Sequence, residues 1–310
     1  MRNDQNSRIS YVQCNHHLPR LPESKTLNIP LKAFIAVCLM IGCALVQAQV
    51  FWSVESPQGQ RSWLLGTVHS EDPRLLDFPP ALNQALDEAE VLALELMPDA
   101  GILGKLSEAM HLPGDERLDE LIEPDLYEQV VKILEQYGMG EPAVRRLRPW
   151  AAAVTVSVPP PETGLFMDLA LAFRAGGLGT EVISLETVEE QLDFLTGLGR
   201  EAHIEMLRQA VEDFEQGREV FEALIGAYLA GDLDELERLA EKEVARMKPA
   251  ARAHFRREGL VRRNLRMVER ALPRLEQGGV LIAVGALHLP GDDGLIALLR
   301  EHGYQVKPIY

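Results

Sequence analysis

LIAVGALHLP, residues 281–290, joins a continuous apolar run to a Gly-x-x-His turn, and WLLGTVHS, residues 63–70, does the same near the other end of the chain. An unbroken apolar run of this length reads as a strand buried on both faces. In an open α/β sheet, ligands collect outside the carboxyl ends of the strands. Glycine lets the backbone turn sharply there, and the His that follows then sits on a firm edge. Two such units on neighbouring strands predict that His69 and His288 converge.

Working outward, residues 50–54 and 62–65 read as a hairpin around Ser56-Pro57-Gln58-Gly59. Pro79 and Pro80 open a helix that runs to about Ala89. Residues 91–96 form a short apolar run holding one acid, Glu95. From Asp99 to about Ala250 the pattern is mostly helical. It includes an amphipathic helix over 124–137, a helix from Met167 stopped by Gly176-Gly177, and a helix opened by the capping box Thr187-Val188-Glu189-Glu190. Residues 181–185 read as a strand within that stretch, and Gly217 and Gly231 punctuate later helices. A basic helix over 260–272 ends before Pro273. A helix over 293–301 and a strand over 304–310 close the chain. Strand and helix alternate at both ends, which predicts an α/β (α+β) fold. Its mixed central sheet is flanked by helices, with a largely helical insert between the two strand–Gly-x-x-His units. No long repeat or linker divides residues 49–310, which read as a single domain.

The chain has 310 residues and a net charge of −16. Residues 33–46, AFIAVCLMIGCALV, are uncharged, follow Lys32 and precede Val46-Gln47-Ala48. That run is short for a membrane span and has the length of a signal core. Residues 1–48 therefore read as a targeting segment cleaved after Ala48, which places the protein in the periplasm or outside the cell. An uncleaved membrane anchor and a lipid anchor at Cys43 are the alternatives. Residues 1–48 carry five Lys/Arg and two acids, so the remainder has a net charge of −19. Such an acidic surface repels phosphate backbones and argues against nucleic acid as a partner. All three cysteines (Cys14, Cys38 and Cys43) fall in the targeting segment. The remainder has no thiol for a disulfide, a nucleophile or a Cys-rich zinc site. P-loop, HExxH and GxSxG motifs are absent from the sequence.

Glu95 ends an apolar strand, where a carboxylate is costly unless paired or used. With His69 and His288 it forms either a set of divalent-metal ligands or a metal-free acid–base set. Read singly, each has a plainer reading: a hydrogen-bonded packing His, or an acid paired with an Arg. The duplication of Gly-x-x-His favours function. Glu186 follows its strand as Glu95 does, and either reaches the same rim or begins a helix, where the dipole favours acids. Arg74, Arg263 and Asn264 are candidates for holding substrate or orienting a carboxylate, with surface salt bridging the stronger reading for Arg263. His111 repeats the His-Leu-Pro-Gly-Asp of His288 by chance, and His203, His254 and His302 read as solvated.

These residues resemble the TraB/GumN family, relatives of the Tiki proteases and, more remotely, of the erythromycin esterases. The resemblance rests on LLGTVHSEDPR (64–74), LALE (92–95), ISLETVEEQL (183–192), RRNLRM (262–267) and VLIAVGALHLPGDDGLIALLREHGYQV (280–306). It implies a hydrolase in which His69, Glu95 and His288 activate water against a peptide or ester bond. They would do so through a divalent metal (Mn, Co or Zn) or with a His and Glu alone. It also leaves two non-catalytic roles: capture of a peptide or signal, and an accessory part in envelope or polysaccharide assembly. Arg74 would stabilise the oxyanion in the metal-free case.

Overall fold

The structure, a computed structural model, describes residues 49–97 and 99–310. The expected targeting segment, with its cleavage point and its anchor alternatives, lies outside the described residues. Among the described residues no helix is long and apolar enough to cross a membrane.

Six strands form one sheet: β1 (Phe51–Glu55), β2 (Arg61–Thr67), β3 (Val91–Leu94), β4 (Glu181–Ser184), β5 (Val280–Gly285) and β6 (Gln305–Pro308). Their spatial order is β4-β3-β5-β2-β1-β6. The first four in that order run parallel, whereas β1 is antiparallel to both β2 and β6. The architecture is therefore α/β with a mixed sheet and many flanking helices, as the alternation of elements predicts. Val280 to Val284 are buried without exception, because β5 lies inside the sheet and helices cover both faces.

The late strand β5 inserts between two early ones. It pairs with β2 so that Thr67 lies opposite Gly285, and with β3 so that Leu94 lies opposite Ala283. That topology makes the two Gly-x-x-His units neighbours and sets Glu95 one residue beyond the pairing. The glycine of the first unit serves the second. A Cβ on Gly66 would come 3.0 Å from Ala286 Cα and 3.2 Å from the Leu289 side chain. Gly66→Val should therefore destabilise the fold by about 1–3 kcal/mol through overpacking. Urea unfolding reads this directly, and an unchanged midpoint would mean that the two turns can separate freely.

The helices depart from expectation where packing overrides local signals. The helix from Met167 does not stop at Gly176-Gly177 but runs to Leu178. Ala175 is buried, and Gly179 at φ +81° supplies the left-handed cap that ends a helix. Gly217 lies inside the helix Phe214–Leu229. Pro273 lies inside the helix Arg262–Leu275, whose Ala271 and Leu275 are buried on either side of it. The capping box is present: Thr187 accepts from the Glu190 amide, and the Glu190 carboxylate accepts from the Thr187 amide. The insert has its own apolar core, built on Leu118, Leu134, Leu147, Trp150 and Leu207. The sheet and its covering helices form the other.

Candidate functional site

The rim is assembled from the carboxyl ends of four parallel strands. Glu186 follows β4, Glu95 follows β3, His288 follows β5, Thr67 ends β2 and His69 lies two residues beyond it. Glu186 continues the ladder past β4, its amide donating to the Glu95 carbonyl. This is the edge at which open α/β sheets bind ligands.

One helix completes the rim. Pro249–His254 passes through a π-helical stretch, Phe255–Val261, into Arg262–Leu275. Such stretches change the helical register and are frequent at functional sites. Gly259 lies in it against Phe194, whose ring would be 2.8 Å from an added Cβ. Beyond it Arg263, Asn264, Met267 and Val268 are all buried, a stripe with helical spacing that faces the sheet.

Arg263 is therefore not a surface residue. Its Nε donates to both oxygens of Glu186 at 3.0 Å, and Nη2 donates to Glu186 Oε2 at 2.5 Å and to Glu95 Oε2 at 2.6 Å. One guanidinium thus ties the ends of β3 and β4, a planar fork that suits two carboxylates. The side chain of Glu186 is fully buried, so it belongs to the rim, while Thr187 caps the helix after it. Gln191 and Arg266 add weaker contacts to Glu186 at 3.4 and 3.5 Å.

Glu95 Oε1 accepts from the Gly285 amide at 2.6 Å and lies 3.6 Å from His288 Nε2. Burial would raise the Glu95 carboxyl. The charges of His288 and Arg263, with the Gly285 amide, outweigh burial and hold it below the ordinary value. Burial in turn lowers the His288 imidazole, and the Glu95 charge only partly opposes that. Near neutrality His288 is uncharged, so Arg263 and the Gly285 amide do most to keep Glu95 ionised. The charge of His288 joins them only in acid.

The tautomer of His288 follows from its neighbours. Asn264 Nδ2 donates to the Asp293 carbonyl at 2.8 Å, which leaves its Oδ1 facing His288 Nδ1 at 2.5 Å. Nδ1 therefore carries the proton and Nε2 presents a lone pair to Glu95 Oε1. The pH dependence is set by sign. His288 folds with a lowered pKa, so below its ordinary value of about 6.5 the unfolded chain binds the proton first. Stability is then lost as pH falls through that value, and buried His203 acts in the same direction. His288→Gln should flatten the fall between about pH 7 and pH 5. Urea unfolding across that window tests it, and an unchanged slope would show that His288 does not contribute.

His69 is held differently. Its ring stacks on Phe166, with centroids 4.0 Å apart and planes 8° from parallel. Its Nδ1 lies 3.8 Å from Asp168 Oδ2, and its side chain is 68% exposed. Asp168 Oδ1 accepts from the Thr67 hydroxyl at 2.7 Å. The structure thus gathers Glu95, Glu186, Arg263, Asn264 and His288 into one network, with His69, just past the end of β2, in a set of its own with Phe166 and Asp168. Phe166 and Asp168 were not legible as site residues, since an acid near a helix start has an ordinary dipole reading. Arg74 is not part of the network. It is exposed and pairs with Asp72 at 2.5 Å and Glu222 at 3.3 Å. His203 is buried, against the expectation of a solvated residue, and His254 stacks on Phe194 and bonds its carbonyl at 2.8 Å.

The donor chemistry bears on a metal. His288 Nε2 and Glu95 Oε1 are two acceptors facing each other at 3.6 Å, an arrangement that suits a shared cation or a water donating to both. A neutral imidazole and a carboxylate are ligands for borderline divalent ions, and the Nδ1–H of His288 is anchored as a ligating His requires. The residues fit in kind. Among the described residues, however, no group of three His, Cys, Asp or Glu is gathered closely enough to hold an ion.

The chain is similar to curated proteins named metalloproteases. The chain is 26% identical to metalloprotease TIKI2 of Danio rerio, over 83% of this chain and 60% of that protein. It is 28% identical to metalloprotease TIKI1 of Danio rerio, over 79% and 60%. It is 27% identical to metalloprotease TIKI1 of Homo sapiens, over 79% and 59%. The match thus spans about 60% of the length of these relatives. No solved structure matches the chain. A model of the TraB/PrgY/gumN family matches residues 50–308, from β1 through β6, and the chain belongs to that family.

Proposed function

We propose that this protein is a hydrolase that adds water to a peptide or ester carbonyl at the carboxyl ends of β2, β5 and β3, outside the cytoplasm. The observation that carries the reading is the lone pair of His288 Nε2 turned to the ionised Glu95, in a buried network with few other plain uses. The similarity to proteins named metalloproteases supports it, and the signal-like run at residues 33–46 supports the location.

His288 Nε2 is the base: it takes a proton from water and returns it to the leaving group. Glu95 stays ionised, stabilises the imidazolium formed and orients the attacking water. Arg263 balances the charge of Glu95 and Glu186 and keeps Glu95 at the rim. His69, exposed beside the network, is placed to meet the substrate. His288 and Glu95 are the two residues whose donors would face a divalent ion, which would lower the pKa of a bound water and polarise the carbonyl; His69 would have to move out of its own set to join them.

The test measures metal content and cleavage of peptide and ester libraries by the full chain, beside His69→Ala, Glu95→Ala and His288→Ala. Cleavage by the wild type, lost in all three folded variants, is the expected result. Metal that is retained by the wild type and lost with these residues would add the metal-assisted route. A ligand that is bound and recovered intact would overturn hydrolysis in favour of capture.

A further inference from the structure

His69 and His288 occupy matching places, each three residues after the glycine of its unit. His288 is oriented from a helix: Asn264 takes its Nδ1–H and leaves Nε2 to the rim. His69 meets a similar arrangement made of different residues. Its Nδ1 faces Asp168, the second residue of the helix Met167–Leu178, at 3.8 Å. The other Asp168 oxygen is held by the hydroxyl of Thr67, the last residue of β2. The stack on Phe166 fixes the plane of the ring.

The segment that carries Phe166 and Asp168 is itself tied to the first Gly-x-x-His unit. The Met167 amide donates to the Ser70 carbonyl at 3.1 Å. The amide and hydroxyl of Thr163 donate to Glu71 at 2.6 and 2.7 Å. Residues on both sides of His69 thus hold the partner that faces it, over a sequence separation of about a hundred residues.

We propose that Asp168 is the positioning residue of His69, the counterpart of Asn264 for His288, so that both imidazoles carry their proton on Nδ1 and turn Nε2 to one rim. The proposal rests on the reading of His69 as a working residue of the hydrolase. An ionised carboxylate only accepts, so it selects the Nδ1–H tautomer of a neutral ring. Exposed His69 needs only a small swing, in the plane of its stack on Phe166, to close the 3.8 Å gap. A carboxylate behind the ring also fixes the direction in which Nε2 points as a base or ligand. Thr67 and Phe166 then have a use that packing alone does not give them: one aims the carboxylate and the other aims the ring.

The experiment uses the full chain labelled with 15N-histidine, at a pH where the imidazoles are neutral and without added substrate. A long-range 1H–15N correlation reports which ring nitrogen holds the proton, and His69→Gln identifies the His69 signals. The expected result is the Nδ1–H form for His69 in the wild type. In Asp168→Ala that form is lost to Nε2–H while the His288 signals stay in place. Nε2–H in the wild type, no change in Asp168→Ala, or a joint change of both histidines would overturn the proposal. Should Asp168→Ala not fold, Asp168→Leu, of similar volume and without an acceptor, takes its place: loss of the Nδ1–H form is expected, and an unchanged share overturns. The readout needs no turnover. A chain that shows this tautomer yet cleaves nothing keeps the positioning and loses the hydrolase. A chain that cleaves with His69 in the other tautomer does the reverse.

Discussion

Replacing Arg263 with Ala should cost about 3–5 kcal/mol of folding stability, because it strands carboxylates that the fold has taken out of water. The side chain of Glu186 is fully buried and its strongest partner is the Arg263 fork. Glu95 would lose its one guanidinium contact among the described residues. A loss of that size is a large part of the margin of an ordinary domain, about 5–15 kcal/mol. Arg263→Lys should recover only a fraction, since an ammonium cannot fork onto one carboxylate and still reach the second. Arg263→Met combined with Glu186→Leu should recover more, because it removes the buried charge together with its partner. Urea unfolding of the three variants reads the order. If the double variant is no better than Arg263→Ala, lost packing and not stranded charge is the cause. The exposed pair Lys105–Glu189 makes the control, and Lys105→Ala should be nearly silent.

Glu95→Gln should lower kcat/KM by about a hundredfold to ten-thousandfold, the range expected when a group acting on the transferred proton is lost. The amide keeps the shape of the side chain and can still accept from the Gly285 amide, so the fold should survive. What disappears is the negative charge beside His288 Nε2, which stabilises the imidazolium as it forms. The loss should appear in kcat more than in KM, because the charge matters most in the transition state. His302→Ala, at an exposed position, should leave turnover unchanged. Full activity in Glu95→Gln would sink the assignment of Glu95 and leave His69 with His288 as the working pair.

The outline of the fold was legible because its signals are short-ranged. Apolar runs of strand length, Pro79-Pro80, the Thr187 capping box and the two Gly-x-x-His turns each lie within a few residues, and each is present as an element or a turn. Glycine and proline misled where tertiary packing outweighed a local cost of about 1–3 kcal/mol. Gly176-Gly177 and Pro273 sit inside helices whose neighbouring side chains are buried in the sheet core.

The sequence by itself determined the family, the residue types at the rim and their places at strand ends. Those are properties of motifs, and motifs are contiguous. Only the tertiary structure decided which side chains meet. Arg263 finds Glu186 77 residues away and Glu95 168 residues away, and Asn264 finds His288 24 residues on. Thr67 finds Asp168 across 101 residues. The insertion of β5 between β2 and β3 creates these meetings. A parallel sheet joins strands distant in sequence, and charge pairing follows distance in space, which no periodicity of the chain records.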